Sequence, residues 1–530
     1  MLSPFTLRRS LFTSSPIHEQ PIIQWLFLSV VIGAIVCLTP FAIIDDAYIS
    51  FRHAHNLSTT GQLVFNPGEH VEGVTNLLWS LGLAGNDALR LLPPERFAVI
   101  VSILCLVWAA FRILQLGRLL EAPFYAGLAA CGLLFLTPDF LLATSNGLEG
   151  GLFTALVLEM IWQYYRNHVV RAYAVAGLLF LTRPESLALG VLLTVVLYRE
   201  HRSWRKLQVG LGLLGGIVFS TTLWRLIYYH SPLPNSLIAK SMSIPAWLSP
   251  LGLIRLKLSL AYMLKVGFVN WHYVVVLGLG LASFRRTRRS RTHSDGLLAL
   301  CIGILLFSIL IMVGNGGDWM PHGRLFMYYG TLYAVVLLVL MARRAIPIFL
   351  CVVLLGCGLL QTTMEAVQAS PEFRLHINPG PDTFDGSVSP RLRDGLEPGD
   401  ILSAEAIGYI SYRFPRNYVH DPAGLTDRHI ARYGRPSHRF GKCDPAYTLG
   451  VVRPAVAVWH YGAHLKGVDQ DILDQYETFC AKDCGTESAD IVMVRLDRAL
   501  ALAPLFADWQ PVRPTSDGTE EPLAEHMGSR

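Results

Sequence analysis

Two adjacent carboxylates, Asp45 and Asp46, follow directly after the first long apolar stretch of the chain. Adjacent like charges at a low-dielectric boundary repel each other, and they are easiest to retain near a cation or a bound acceptor. A carboxylate in this place can remove the proton of an attacking hydroxyl, or can attack the anomeric carbon of a sugar. Asp45 and Asp46 are therefore candidates for a catalytic role. The structural alternative is a solvated helix cap.

Further polar side chains stand in short loops between apolar stretches. Ionisable groups near a bilayer are costly to desolvate unless they are paired or hydrated, so these loops indicate a shared polar cavity. The glycines of GNGGDWMPHGR can also form a simple turn, and Arg183 and Glu185 can be a structural ion pair across the helix break at Pro184. The loops hold Arg52, Glu69 and Glu72 after the aspartates, Asn146 and Glu149 in TSNGLEGG, Arg183 in LTRPES, Asn235 and Lys240 in PLPNSLIAK, and Asp318, His322 and Arg324 in GNGGDWMPHGR.

Transfer of a group from a lipid-linked phosphate would use this combination of residues. The leaving phosphate gains negative charge in the transition state, and cationic side chains or a divalent cation such as Mg²⁺ or Mn²⁺ can offset that charge. No metal ligand is assigned. For the donor phosphate we predict contacts from Arg52, Arg183, His322 and Arg324. For the sugar or the acceptor we predict contacts from Glu72, Glu149, Asn235, Lys240 and Asp318.

The composition indicates an integral membrane protein. Of the 530 residues, 52% are hydrophobic and only 16% are charged, and the mean hydropathy is +0.41. Residues 21–44 can cross a hydrocarbon core of about 30 Å, and we interpret them as a retained anchor with a cytoplasmic N-terminus. About eleven crossings are predicted, centred near residues 33, 106, 131, 156, 178, 191, 216, 274, 305, 334 and 353.

Basic clusters fix the predicted orientation. They all fall after even-numbered crossings, as in the arginine-rich run before residue 292, so one topology places every cluster in the cytoplasm. The polar loops described above then converge on the outer face. The basic runs are explained by topology, so they indicate no nucleic-acid partner, and no Walker loop or G-x-G-x-x-G turn indicates a nucleotide.

The segment after about residue 362 is polar and rich in Pro and Gly. We predict that residues 1–362 form the transmembrane catalytic domain and that residues 363–530 form a soluble α+β domain outside the cytoplasm. ILSAEAIGYISY, PAVAVWHY and DIVMVRL are predicted to be strands. Cys443, Cys480 and Cys484 can supply one disulfide and one free thiol in an oxidising compartment; a zinc site is the weaker alternative.

Several stretches together resemble a known family. DDAYISFRHAHNL and GQLVFNPGEHVEGVTNLLW resemble the first external loop of the bacterial GT-C glycosyltransferases of the AftB-like arabinofuranosyltransferase family, which includes enzymes that modify type IV pilin. SNGLEGGLF, LTRPESLALG, LPNSLIAK, GGDWMPHGRLF and AIGYISYRFPRNYVHDPAGLTDRHIAR resemble that family too. The segment VEGVTNLLW departs from it, because the family has an aromatic residue and a proline there.

The resemblance implies a polytopic α-helical GT-C fold with a C-terminal periplasmic domain in the bacterial inner membrane. It implies a polyprenyl-phosphate sugar donor, arabinofuranose first, and a glycan or a pilin-like protein as acceptor. The catalytic role carries over to Asp45 and Asp46. Two other functions stay open: a lipid or sugar transporter (flippase), which would place polar residues near the bilayer midplane, and a non-catalytic envelope assembly subunit, in which both aspartates would be dispensable for product formation.

Overall fold

The structure, a computed structural model, describes most of the chain from Ile43 onward. The predicted anchor at residues 21–44 and most of the predicted last crossing near residue 353 lie outside the described residues. The described residues are 43–241, 250–287, 292–314, 324–347, 349–350, 353–354, 356, 360, 384–393, 395–436, 442–460, 465–482, 484, 490–516 and 520–522.

Helices form the N-terminal two thirds of the described chain. The first two belong to the loop after the predicted anchor, and helices lie at nine of the predicted crossings. Their bounds are α1 Asp45–Thr60, α2 Leu77–Ala88, α3 Pro94–Leu119, α4 Phe124–Phe135, α5 Pro138–Ser145, α6 Gly150–Tyr165, α7 Val169–Thr182, α8 Leu187–His201, α9 Gln208–Tyr229, α10 Asn235–Lys240, α11 Pro250–Val269, α12 Trp271–Thr287, α13 His293–Gly314, α14 Arg324–Met327 and α15 Gly330–Ala342.

Three of these helices, α3, α9 and α13, are long and apolar enough to cross a membrane by themselves. Two further spans are bent pairs: α4 and α5 meet at 68°, and α11 and α12 meet at 93°. Polar side chains at the two bends contact each other, since Asn270 donates to Asp139 at 2.8 Å and Thr137 lies 3.2 Å from His272. Each bend interrupts the backbone ladder of its helix, and these side chains supply polar partners inside an apolar environment.

The C-terminal part is an α+β structure around a mixed sheet of seven strands in the order β2-β1-β5-β7-β6-β8-β9. β1 pairs in parallel with β2 and β5, and the remaining neighbours in this sheet are antiparallel. The elements are α16 Phe384–Leu392, β1 Ile401–Ala404, α17 Ile407–Arg413, β2 Tyr418–His420, α18 Arg428–Tyr433, β3 Arg435–Pro436, β4 Lys442–Cys443, a π-helical turn Tyr447–Val452, β5 Val456–Trp459, α19 Gln470–Leu473, β6 Tyr476–Lys482, β7 Asp490–Arg495, α20 Ala499–Leu502, β8 Gln510–Pro514 and β9 Glu520–Pro522.

Both faces of this sheet are buried. Along β5, Val456 and Val458 pack into one apolar cluster, while Ala457 and Trp459 pack into a second cluster on the other face. Cys480 and Cys484 form a disulfide, and Cys443 is a buried free thiol, which confirms the predicted division of the three cysteines.

One predicted strand is partly wrong. In ILSAEAIGYISY only Ile401–Ala404 is a strand, and Ile407–Arg413 is the helix α17. The local apolar pattern fits a strand, but a contact from a distant part of the chain caps the first turn of α17, as described below.

The first external loop and the C-terminal part share an apolar core. Ile49, Phe65 and Val74 of the loop pack in the same cluster as Ile407 and Val419. The sheet therefore does not bury its apolar surface with its own residues alone, and the loop that carries the aspartates is fixed against it.

Candidate active site

Asp46 lies in the first turn of α1 and faces a cation from a distant helix. Its Oδ2 is 3.3 Å from Nη1 of Arg324, the first residue of α14. The Arg324 side chain is 10% exposed and that of Asp46 is 24% exposed, so this ion pair retains contact with solvent. A carboxylate held beside a cation and still open to solvent is available to an incoming ligand.

A second, more deeply buried group of polar side chains centres on Glu149, which precedes α6. Its Oε1 accepts from Nη1 of Arg183 at 2.7 Å, and its Oε2 accepts from Nδ2 of Asn76 at 2.7 Å. Arg183 also pairs with Glu185 at 2.5 Å, and the amide of Asn76 exchanges hydrogen bonds with Ser50. Arg183 lies at the break between α7 and α8, which Pro184 imposes.

The two groups lie next to each other along α1 and α14. Asp46 and Ser50 are four residues apart on α1 and so lie on the same face of that helix. Tyr328 follows Arg324 by one turn, since its N–H donates to the Arg324 carbonyl, and the Arg183 guanidinium lies 5.3 Å from the centre of the Tyr328 ring. We call this set, Asp46, Arg324, Tyr328, Arg183, Glu149, Asn76 and Ser50, the polar circuit.

Asp45 has different surroundings from those of Asp46. Its two carboxylate oxygens accept hydrogen bonds from the backbone N–H groups of Gly408 and Tyr409, at 2.9 and 2.7 Å. These groups belong to the first turn of α17, where backbone N–H groups lack helical partners. A Cβ at position 408 would overlap the Asp45 carbonyl oxygen, so the close approach requires glycine. Asp45 therefore joins α1 to the C-terminal part.

Arg52 lies fully buried against the same C-terminal segment. Its guanidinium donates to the carbonyls of Phe65, Ser411 and Asn417, and it makes further bonds to Phe414 and to the Asn66 amide. Burial lowers the pKa of Arg52 to about 9. Because these bonds occupy all three guanidinium nitrogens, the geometry favours a structural role for Arg52 over the predicted contact with the donor phosphate.

Glu72 and Asn235 also make structural contacts in this conformation. Glu72 forms a bidentate ion pair with Arg225 of α9, with both side chains 2% exposed. Asn235, the first residue of α10, donates to the carbonyls of Gly424 and Asp427 at 3.0 Å. These contacts hold the loop before α18, so Asn235 supports the C-terminal part instead of lying in the polar circuit.

The remaining predicted residues fall in two groups. Lys240 is exposed at the end of α10. Asp318 and His322 lie outside the described residues. Of the predicted site residues, the structure thus brings Asp46, Arg324, Arg183 and Glu149 together, and it places Asp45, Arg52 and Asn235 at the contact with the C-terminal part. Among the residues that the structure describes, no three His, Cys, Asp or Glu side chains converge closely enough to hold a metal ion.

Sequence reasoning missed three contributors to this region. Asn76 and Ser50 have ordinary polar side chains whose position depends on tertiary contacts, and no local signal marks them. Arg225 had a signal: it is a single charge within the apolar helix α9, and such a charge is paired or functional in most membrane proteins.

The fold is shared with a protein of known structure. ArnT from Cupriavidus metallidurans bound to undecaprenyl phosphate matches with a TM-score of 0.53 and 12% identity, over 89% of this chain and 97% of that one. Its apo structure matches with a TM-score of 0.50 and 11% identity, over 89% and 98%. These matches and the C-terminal sheet confirm the predicted fold, a polytopic helical GT-C membrane fold with an α+β part.

Two curated sequence relatives carry the name of an arabinofuranosyltransferase. The chain is 28% identical over 322 residues to the terminal beta-(1->2)-arabinofuranosyltransferase of Mycobacterium tuberculosis, over 53% of this chain and 50% of the relative. It is 30% identical over 340 residues to the protein of that name in Corynebacterium glutamicum, over 55% and 47%. The predicted resemblance is therefore confirmed, although the chain spans about half the length of the curated relatives it matches. Residues 384–514 match the Domain of unknown function (DUF8728).

Proposed function

We propose that this chain is a membrane glycosyltransferase that moves a sugar from a polyprenyl-phosphate donor to an acceptor at the outer face. The observation that carries the proposal is the polar circuit, in which one solvent-accessible carboxylate and two arginines lie beside apolar helices. The names of the sequence relatives and the fold shared with ArnT support the same reaction class.

The reaction needs one base or nucleophile and one site for a leaving phosphate. In the step that we propose, the bond between the anomeric carbon and the phosphate oxygen breaks, and its electron pair leaves with the polyprenyl phosphate. The acceptor hydroxyl oxygen bonds to the anomeric carbon, and its proton passes to Asp46. If Asp46 instead attacks the anomeric carbon, the product retains its configuration, so the anomeric configuration of the product distinguishes the two roles.

Arg183 and Arg324 are the cations that we assign to the donor phosphate. Both contact carboxylates of the polar circuit, and the donor phosphate, which gains a second negative charge as its bond to the sugar breaks, can replace such contacts with bidentate ones. Glu149 accepts hydrogen bonds from Arg183 and Asn76, and the Arg183 guanidinium lies 5.3 Å from the ring centre of Tyr328, one helical turn after Arg324. His322 stays a predicted phosphate ligand, and Asp318 and Lys240 stay predicted contacts of the sugar or acceptor.

The two aspartates have separate tasks in this proposal. Asp46 reacts, because its carboxylate is accessible and faces Arg324. Asp45 is a positioning residue, because both of its oxygens accept backbone N–H groups of α17. Arabinofuranose is the first sugar to test, the acceptor is an envelope glycan or a pilin-like protein, and the protein lies in the bacterial inner membrane with the C-terminal part in the periplasm.

Transfer of labelled arabinofuranose from synthetic polyprenyl-phosphoarabinofuranose tests the proposal. The native chain in nanodiscs should release polyprenyl phosphate and label the acceptor. Arg183→Gln should slow this release about 100-fold through loss of phosphate stabilisation. Arg513→Gln is the matched control, since Arg513 forms an exposed pair with Asp474 in the C-terminal part. If another sugar is transferred instead, that sugar replaces arabinofuranose in the proposal. If no polyprenyl-phosphate sugar releases polyprenyl phosphate, the proposal that the chain is a glycosyltransferase is contradicted.

A divalent cation remains a prediction from the sequence. Incubation of the native chain with EDTA, followed by addition of Mg²⁺ or Mn²⁺, tests it directly. Loss and recovery of donor hydrolysis would support a cation at the phosphate. Unchanged hydrolysis would leave the arginines of the polar circuit as the source of positive charge.

A further inference from the structure

A group of stacked aromatic rings stands on the C-terminal part, apart from the polar circuit. The imidazole of His429 on α18 stacks on the ring of Tyr447, with ring centres 3.9 Å apart and an angle of 20° between the planes. The ring of Tyr433, at the end of α18, lies 5.3 Å from His429 and is 73% exposed. We call His429, Tyr433 and Tyr447 the aromatic platform.

Hydrogen-bonding carboxylates surround this platform. Oδ2 of Asp444 lies 3.3 Å from Nε2 of His429, and the Asp444 Oδ1 accepts the backbone N–H of Tyr447. Burial raises the pKa of Tyr447, and the charges of Asp427, Glu69 and Asp444 raise it further. Glu69 comes from the first external loop and accepts from the Tyr418 hydroxyl at 3.1 Å.

The aromatic platform is rigidly connected to the loop that carries the aspartates. Asp427 caps α18 by accepting the N–H of Ile430 at 2.8 Å. Arg428, the first residue of α18, donates to the carbonyls of His70 and Tyr229 at 2.8 and 2.9 Å. A ligand on the platform would thus be held in a fixed relation to the first external loop, as an acceptor must be.

We propose that the aromatic platform and its carboxylates bind the glycan acceptor, as a subsite for a sugar next to the one that is modified. This inference rests on the proposed function. A sugar has C–H groups on the faces of its ring and hydroxyl donors at its edge. The exposed ring of Tyr433 suits the first, and the partly exposed carboxylate of Asp444 suits the second.

A neutral glycan fits this surface better than a basic peptide does. Two exposed arginines flank the platform residue Tyr433 in the sequence. Arg432 directly precedes it, and Arg435 follows it by two positions. Their charges offset the carboxylates, so the surface offers no strongly negative field to a cationic segment. A pilin-like protein acceptor is therefore an outcome that the experiment must distinguish.

The experiment compares acceptor saturation in the full-length chain and its variants. Labelled transfer to a synthetic arabinofuranose oligosaccharide gives the KM for acceptor, and release of polyprenyl phosphate without acceptor reports the chemistry separately. Tyr433→Ala should raise the acceptor KM about 10-fold, the effect of losing one ring contact. Tyr433→Phe should restore the KM because it keeps the ring. Leu500→Ala, at a residue 98% exposed on the same part of the chain, is the control that should change neither quantity.

Binding without turnover separates this inference from the proposed function. Saturation-transfer NMR with the same oligosaccharide should detect binding to the native chain and weaker binding to Tyr433→Ala, whether or not donor hydrolysis is observed. An unchanged KM and unchanged binding in Tyr433→Ala and His429→Ala would overturn the inference. A raised KM for a pilin-like peptide alone, with the oligosaccharide unaffected, would overturn it in favour of a protein acceptor.

Discussion

The polar circuit and the contact between the first loop and the C-terminal part use the same kinds of side chain in opposite ways. In the polar circuit, charged groups meet other side chains, as Asp46 meets Arg324 and Glu149 meets Arg183. At the contact, the charges of Asp45 and Arg52 meet backbone N–H groups and carbonyls of α17 and the segment after it.

In the proposed function, this difference separates groups that react from groups that hold the structure. A side-chain ion pair at the edge of solvent can exchange one partner for a ligand, whereas a buried charge that bonds several backbone groups cannot leave without breaking all of those hydrogen bonds. Asp45 and Asp46 are adjacent in sequence, but successive side chains of α1 point in different directions. Asp45 therefore contacts the C-terminal part, and Asp46 contacts Arg324.

Removal of the Arg52 guanidinium should produce the largest effect on stability. Arg52→Met removes the guanidinium that donates to the buried carbonyls of Phe65, Ser411 and Asn417, so we expect a loss of about 3–5 kcal/mol. Arg52→Lys should recover little, because an ammonium cannot reproduce the planar fork. Thermal unfolding in detergent, followed by intrinsic fluorescence, measures both. Asp474→Asn, at an exposed side chain, is the control. If Arg52→Met unfolds at the same temperature as this control, Arg52 does not hold the structure as described.

Breaking the polar circuit should instead reduce turnover. Glu149→Gln keeps the size of the side chain but removes the charge that fixes Arg183, so we expect donor hydrolysis to fall about 10- to 100-fold. The rate of polyprenyl phosphate release at saturating donor, measured in samples quenched at fixed times, tests this prediction. Full turnover in Glu149→Gln would show that the circuit is only structural.

A methyl group at position 408 tests the close approach between α1 and α17. Gly408→Ala would drive its Cβ into the Asp45 carbonyl, so we expect a loss of about 1–3 kcal/mol and a displaced α1. The rate of limited proteolysis of the first loop and of the C-terminal part provides a second measure of that displacement. Gly399→Ala is the matched control, since a Cβ there meets nothing. Equal midpoints for the two variants would contradict the contact.

The last predicted effect on stability is a pH dependence from His53. Burial lowers the pKa of this α1 residue to about 4, from an ordinary value near 6.5. Between these values the unfolded chain binds the proton more readily than the folded chain, so stability rises with pH across the window from 4 to 6.5. The slope is about 1 kcal/mol per pH unit. In His53→Gln the thermal unfolding midpoint should change less with pH across that window than in the native chain. The same pH dependence in both proteins would contradict the prediction.

The sequence predicted the fold class and part of the site, for identifiable reasons. Long apolar stretches and the positions of arginines depend on local patterns, so the membrane helices and the α+β part were accessible. The grouping of Asp46, Arg324, Arg183 and Glu149 was accessible because the predicted topology put their loops on one face. The contacts of Asp45 and Arg52 were not, because both involve backbone groups more than 350 positions away. The same distant contact explains why half of ILSAEAIGYISY is a helix.

A paired comparison of Asp45→Asn and Asp46→Asn in nanodiscs tests the central claim most directly. Turnover, donor binding and thermal midpoint are measured for each variant. We predict that Asp46→Asn lowers turnover about 1,000-fold with donor binding and midpoint retained. Asp45→Asn should lower the midpoint while its folded fraction keeps most of the turnover. Turnover abolished in Asp45→Asn at an unchanged midpoint, with Asp46→Asn still active, would contradict the division between a reacting and a positioning carboxylate.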